Sequence, residues 1–185
     1  MKCIRAMLIA GMAMISPGLL AQSKGEMPFT SSSSEAKKLL RQAWVAYGDA
    51  KLDEGGGYVT QALEKDPGFG MAYASLLTED GAMLEQNLKK ASECQLSSDE
   101  KLFINALLVS QRQEPSANYF EPLLAKYPKD DYLNLWIMFS YKYVKRSTEI
   151  GEILIKRNPK FAPAYNMLGY RYLAQDNLEK AEANF

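Results

Sequence analysis

From Ser32 to the end of the chain, apolar residues return every three or four positions, and no stretch shows the strict alternation that a half-buried strand requires. That spacing gathers apolar side chains into one stripe along a helix. Ser32, followed three positions on by Glu35, reads as a capping box, so the first helix is expected to start there. Leu39, Ala43 and Ala46 carry its stripe, and Tyr58, Val59 and Ala62 carry that of a second helix ending at Asp66-Pro67. Gly55-Gly56-Gly57 stands early in the second helix at about 1 kcal/mol per residue relative to alanine. Fraying or a kink is expected at that point.

Four further helix pairs follow. Gly70–Leu77, with Tyr73 and Leu76 three apart, pairs with Ala82–Glu93; Asp99–Val109, capped by Ser98, pairs with Ser116–Lys126. Tyr132–Tyr143 pairs with Ser147–Lys156, and a last pair starts at Asn158. Prolines punctuate the series: Pro128 follows Pro67 by 61 residues and Pro159 follows Pro128 by 31.

The last pair has the most specific pattern. Tyr165, Leu168, Gly169 and Tyr172 fall on one helix, and Ala181 and Phe185 follow Tyr165 by 16 and 20 residues. This resembles the tetratricopeptide (TPR) repeat, a helix–turn–helix unit of about 34 residues. The resemblance extends over Ser32 to Phe185, and among TPR proteins the chain is similar to those that bacteria export. It implies an all-α, TPR-like right-handed α-α superhelix (solenoid) of about five helix pairs, the last one incomplete. In such a fold stacked pairs share one core, the glycine leaves room for a bulky side chain from the second helix, and the first helix of each pair lines a concave groove. The closing positions of the fifth repeat fall beyond Phe185, so the chain is expected to be the N-terminal part of a longer protein.

The start of the chain reads differently. Lys2 and Arg5 precede an apolar run from Met7 to Ile15, Pro17-Gly18 breaks it, and small residues follow to Ser23. Residues 1–23 are therefore expected to be a signal peptide. Cleavage after Ser23, with Ala21 at −3, fits best; cleavage after Ala21 and an uncleaved N-terminal anchor are the alternatives. The apolar run is short for a transmembrane span. Export to the periplasm or cell envelope of a bacterium, or secretion, follows. Residues 24–31, with Gly25, Pro28 and the first of a serine run, read as an exposed linker before a repeat domain at 32–185.

Composition then narrows the chemistry. The 185 residues are 47% hydrophobic and 24% charged, ordinary values for a globular protein. Lys+Arg 22 balances Asp+Glu 22, which argues against broad attraction to nucleic acid or an anionic membrane. There is no histidine, and the cysteines are Cys3, which would leave with the signal peptide, and Cys94. The commonest general base and zinc ligand are thus missing, and no metal, cofactor or catalytic site is expected. Asp53-Glu54, Asp99-Glu100 and Asp130-Asp131 fall at helix starts, where negative charge offsets the helix dipole. Cys94 reads as a small apolar residue or, alternatively, a redox thiol.

The TPR resemblance implies which residues line the groove. In the first pair these are Trp44 and Tyr47, with Lys37, Leu40 and Gly48; in the third, Lys101 and Asn105, with Ser98, Leu108 and Val109. The fourth contributes Tyr132, Phe139, Lys142 and Tyr143, with Leu135, and the fifth Asn166 and Tyr170, with Pro163, Leu173 and Ala174. Large rings with scattered Lys and Asn suit peptide recognition. Alternatively, several of these rings fill the inside of a tight superhelix. Lys101 and Asn105 match half of the clamp with which some TPR domains hold a terminal carboxylate, but Trp136 stands where the completing Asn belongs, so a mixed aromatic groove is expected instead. The reading is a non-catalytic protein–protein interaction scaffold or adaptor that binds a peptide or partner helix. The alternative is an adaptor region of a larger envelope enzyme, or a carbohydrate- or peptidoglycan-binding protein, whose C-terminal part is missing.

Overall fold

The computed structural model describes residues 25–112, 115–141 and 143–185; the expected signal peptide and Lys142 lie outside them. Among the described residues the chain forms ten helices and no strand. They are α1 (Ser34–Gly48), α2 (Leu52–Lys65), α3 (Gly70–Ala74), α4 (Gly81–Glu93), α5 (Ser98–Gln111), α6 (Ala117–Lys126), α7 (Asp131–Ser140), α8 (Val144–Arg157), α9 (Ala162–Leu173) and α10 (Leu178–Glu182). Each odd-numbered helix packs on its successor, giving the five pairs read from the sequence in an all-α, TPR-like stack.

Two expected helix caps are each off by one residue, for local reasons, and α8 starts three residues earlier than expected, at Val144. Ser33, not Ser32, caps α1, its Oγ accepting the Ala36 N–H at 3.1 Å. Ser32 is held elsewhere, donating its backbone N–H to Asp66 at 2.8 Å. Before α5 the cap is Ser97 rather than Ser98: Ser97 Oγ accepts the Glu100 N–H, and Glu100 accepts the Ser97 N–H at 2.8 Å. That reciprocal pair is a capping box. Helix α3 stops at Ala74, short of Leu77, because the Ser75 carbonyl accepts the Tyr47 hydroxyl at 3.1 Å.

The three glycines do not interrupt α2, which runs unbroken through them. Gly55 is needed for close approach, since a Cβ there would lie 2.4 Å from the Tyr47 ring, whereas Gly56 and Gly57 face open space. Gly169 plays the part the TPR pattern assigns it: a Cβ would meet the Phe185 ring at 2.5 Å.

Two features depart from a simple stack. First, α1 also packs on α7, far away in sequence. Trp44 of α1 lies 5.9 Å from Phe103 of α5 and 5.7 Å from Trp136 of α7, and Tyr47 meets Trp136 edge-on at 6.0 Å. Rings therefore fill the space between the first helices of the first, third and fourth pairs. Second, residues 25–33 are not an exposed linker. Met27 is fully buried and Phe29 is 5% exposed. Phe29 packs edge-on against Trp44 at 5.1 Å and Phe69 at 6.0 Å, with the Arg41 guanidinium 4.1 Å above its ring. Glycine, proline and serine keep this strap from becoming helix, yet its two large apolar residues pull it into the core.

The glycine contacts predict opposite effects for neighbouring substitutions. Gly57→Ala should raise stability by about 0.5–1 kcal/mol in urea unfolding, while Gly55→Ala should lower it by displacing Tyr47.

Candidate interaction site

The rings assigned to a groove divide into a filled half and an open half. Trp44 is 1% exposed, and its indole N–H donates to Ser75 Oγ at 2.9 Å. Tyr47 is half-buried with its hydroxyl engaged on Ser75. Both pack against the interior, and Trp44 presents no surface for a partner, which corrects its sequence-based assignment. Trp136 is buried among the same rings, so the position left by the missing clamp Asn is not a groove position at all. Tyr132 sits at a seam between pairs, edge-on to Phe161 at 5.1 Å and close to Gly48. Lys101 and Asn105 are exposed on α5. Asn166 is exposed too, lining a cleft of about 500 Å³ with Tyr165 and Phe185 at the last pair. Lys142 lies outside the described residues.

Phe139, Tyr143 and Tyr170 form the open half, at 57%, 56% and 57% exposure. Phe139 lines a cleft of about 260 Å³ between the C-terminal ends of α5 and α7 and the side of α9, together with Leu107, Ser110, Tyr141 and Arg171. Tyr143 lies 6.3 Å from Tyr141, and Tyr170 precedes Arg171 on α9 and stacks edge-on against Phe185 at 5.3 Å. Ser110 and Arg171 were not legible as site residues. Arg171 donates through Nη2 to the carbonyls of Met138 at 3.0 Å and Phe139 at 2.9 Å, offsetting the negative end of α7. Among the described residues its Nε is buried without a partner, as is Oγ of Ser110, a residue 4% exposed. Burial pushes the Arg171 pKa down. Unpaired buried donors are uncommon, and here two of them line one cleft.

The walls of that cleft are fixed. Tyr141 donates its hydroxyl to Glu121 at 3.2 Å, and burial with the nearby Glu121 charge pushes its pKa up to about 12. Arg146 grips Glu121 through Nε and Nη2, both at 2.8 Å, and also Glu149 at 3.0 Å. This Arg146 fork holds the Glu121 carboxyl below its usual 4.5.

The adjacent carboxylates lie at helix starts as read, though their roles are more varied than dipole compensation. Asp99 accepts from the Tyr127 hydroxyl and, at 2.6 Å, from Lys126. Asp130 caps α7 by accepting the Leu133 N–H at 3.0 Å. Cys94 ends α4 partly buried, with its thiol donating to the Lys90 carbonyl at 3.3 Å. Burial, then the Asp66 and Glu93 charges, push its pKa up, which keeps it a thiol and fits the small apolar reading.

No protein-family model matches the chain, and neither does any curated protein. Among solved structures it is similar to YrrB, described as a TPR protein with an unusual peptide-binding site. The two share 15% identity over 80% of this chain and 82% of that one, with a TM-score of 0.39.

Two carboxyls set an acid limit on this arrangement. The Ser31 hydroxyl holds Asp66 below its usual 3.8, as Arg146 holds Glu121 below 4.5. Both folded-state values are depressed, so their contribution is complete above the unfolded values and is lost as pH falls through the folded ones. Urea unfolding followed by the emission of the two tryptophans should show stability falling steadily as the pH drops below the usual carboxylate range. Glu121→Gln should flatten part of that fall.

Proposed function

We propose that this chain is a non-catalytic protein-interaction scaffold whose partner engages the open cleft between α5, α7 and α9. The observation that carries the reading is the pairing of exposed rings with an open cleft: Phe139 at 57% and Tyr143 at 56% exposure stand at a cleft lined by Leu107, Ser110, Tyr141 and Arg171. Rings supply large contact area at low entropic cost, and a bound segment covers them. Affinity then concentrates at the cleft, as in interfaces dominated by a few aromatic and arginine residues. Peptides selected from a displayed library against the full chain should bind Phe139→Ala and Tyr143→Ala variants at least about tenfold more weakly. Asn166→Ala, at the other cleft, should leave their binding unchanged. Selected peptides that bind the Phe139 and Tyr143 variants as tightly as the parent would sink this reading.

The setting we propose is the bacterial envelope. Its support is the charged start, apolar run and small residues of 1–23. Mass spectrometry of the protein recovered from its native host should find a mature chain starting at Lys24, or at Gln22 for the alternative cleavage. Recovery of the protein with Met1 and the following residues in place argues for an anchor instead.

A further inference from the structure

The strap is bound as a peptide is bound. Its backbone donates from Met27 to Asp130 at 2.9 Å, from Thr30 to Glu100 at 2.7 Å and from Ser32 to Asp66 at 2.8 Å. Asp130 and Glu100 stand at the starts of α7 and α5 and Asp66 follows the end of α2, so one segment crosses the fourth, third and first helix pairs in turn. Its Phe29 ring fills a pocket made by Trp44, Phe69 and Arg41.

The carboxylates divide their work between the two oxygens. In Glu100, Oε2 accepts the Ser97 N–H and hydroxyl of the capping box, while Oε1 accepts Thr30 of the strap. In Asp130, Oδ1 accepts the capping N–H of Leu133, while Oδ2 accepts Met27 and the Arg41 guanidinium. The capping oxygen fixes each carboxylate whether or not the strap is present, and the other oxygen points at the strap backbone. Emptying the groove therefore leaves the helix starts capped, with Glu100 Oε1 short of a donor in a largely buried site.

We propose that the groove under residues 25–33 is a peptide-binding site occupied by the chain's own strap, and that a partner protein enters it as an extended segment carrying a large aromatic residue in place of Phe29. The occupant must be extended, because what the carboxylates read is a row of backbone N–H groups; it must carry a ring, because the pocket between Trp44, Phe69 and Arg41 is built around one. Being tethered, the strap competes at an effective concentration in the millimolar range. A free segment therefore enters the intact protein poorly and needs the strap loosened. This site is separate from the α5–α7–α9 cleft and stands or falls independently of it.

The test uses a fluorescent peptide, Lys-Gly-Glu-Met-Pro-Phe-Thr-Ser-Ser-Ser, matching residues 24–33, and a second with Ala for Phe. Binding is read by anisotropy on the full chain and on its Phe29→Ala and Thr30→Pro variants, with helicity checked by circular dichroism. Phe29→Ala takes the ring out of the pocket; Thr30→Pro removes the N–H that Glu100 accepts while keeping the ring. The Phe peptide should bind the Phe29→Ala chain about 100-fold or more tighter than the unaltered chain, and the Thr30→Pro chain should show an intermediate gain. The Ala peptide should bind none of them. The proposal is overturned if a folded Phe29→Ala chain takes up neither peptide, or both equally. It is also overturned if both variants lose their helicity, because the groove then has no empty state for a partner to enter.

Discussion

The contact on which the rest of this structure depends is that of Trp44 with its neighbours. Its indole reaches from α1 to Phe29 of the strap, Phe103 of α5 and Trp136 of α7, and its N–H is satisfied by Ser75 at the end of α3. In most repeat stacks each unit touches only its sequence neighbours, and stability adds along the array. Here one side chain joins the strap and the first four pairs. Each aromatic contact contributes about 0.5–1.5 kcal/mol beyond burial of its area, and several converge on this ring. Among the described residues the exposed rings all fall late in the chain, at Phe139, Tyr143, Tyr170 and Phe185.

How much of this could be read from sequence depended on how local the governing physics is. The five pairs were legible because the apolar period is set within each helix, and Gly169 was legible because its partner Phe185 lies inside the same repeat. Ser97-x-x-Glu100 held the capping signal all along, one residue from the serine assigned to it. Trp44 went wrong because a repeat position says which way a side chain points but not how closely the next turn of the stack approaches. The strap went wrong for a related reason: Gly25, Pro28 and the serines report that the backbone is not helical, which is silent about whether Met27 and Phe29 are buried. Of the candidate site, Phe139, Tyr143 and Tyr170 are exposed. Ser110 and Arg171 carried no signal, since an unpaired buried donor is defined by everything around it.

The strap and the cleft also show two ways of treating polar groups at helix ends. At the starts of α5 and α7, Glu100 and Asp130 close the helix with one oxygen and take the strap with the other. At the end of α7, Arg171 neutralises two carbonyls from a neighbouring helix and keeps one N–H unspent. In both places one side chain serves the fold and faces a potential contact, so neither can be replaced without disturbing a helix terminus.

Arg171 has a mechanical consequence as well. The ring cluster ties the first four pairs together, and the fifth pair joins them where α9 packs on α7 and α8 and Phe161 meets Tyr132 edge-on at 5.1 Å. The guanidinium crosses that seam to α7, and the cleft opens beside it. An occupant of the cleft would rest on both sides of the joint at once. It would act as a splint, fastening the fourth and fifth pairs to each other through a third body.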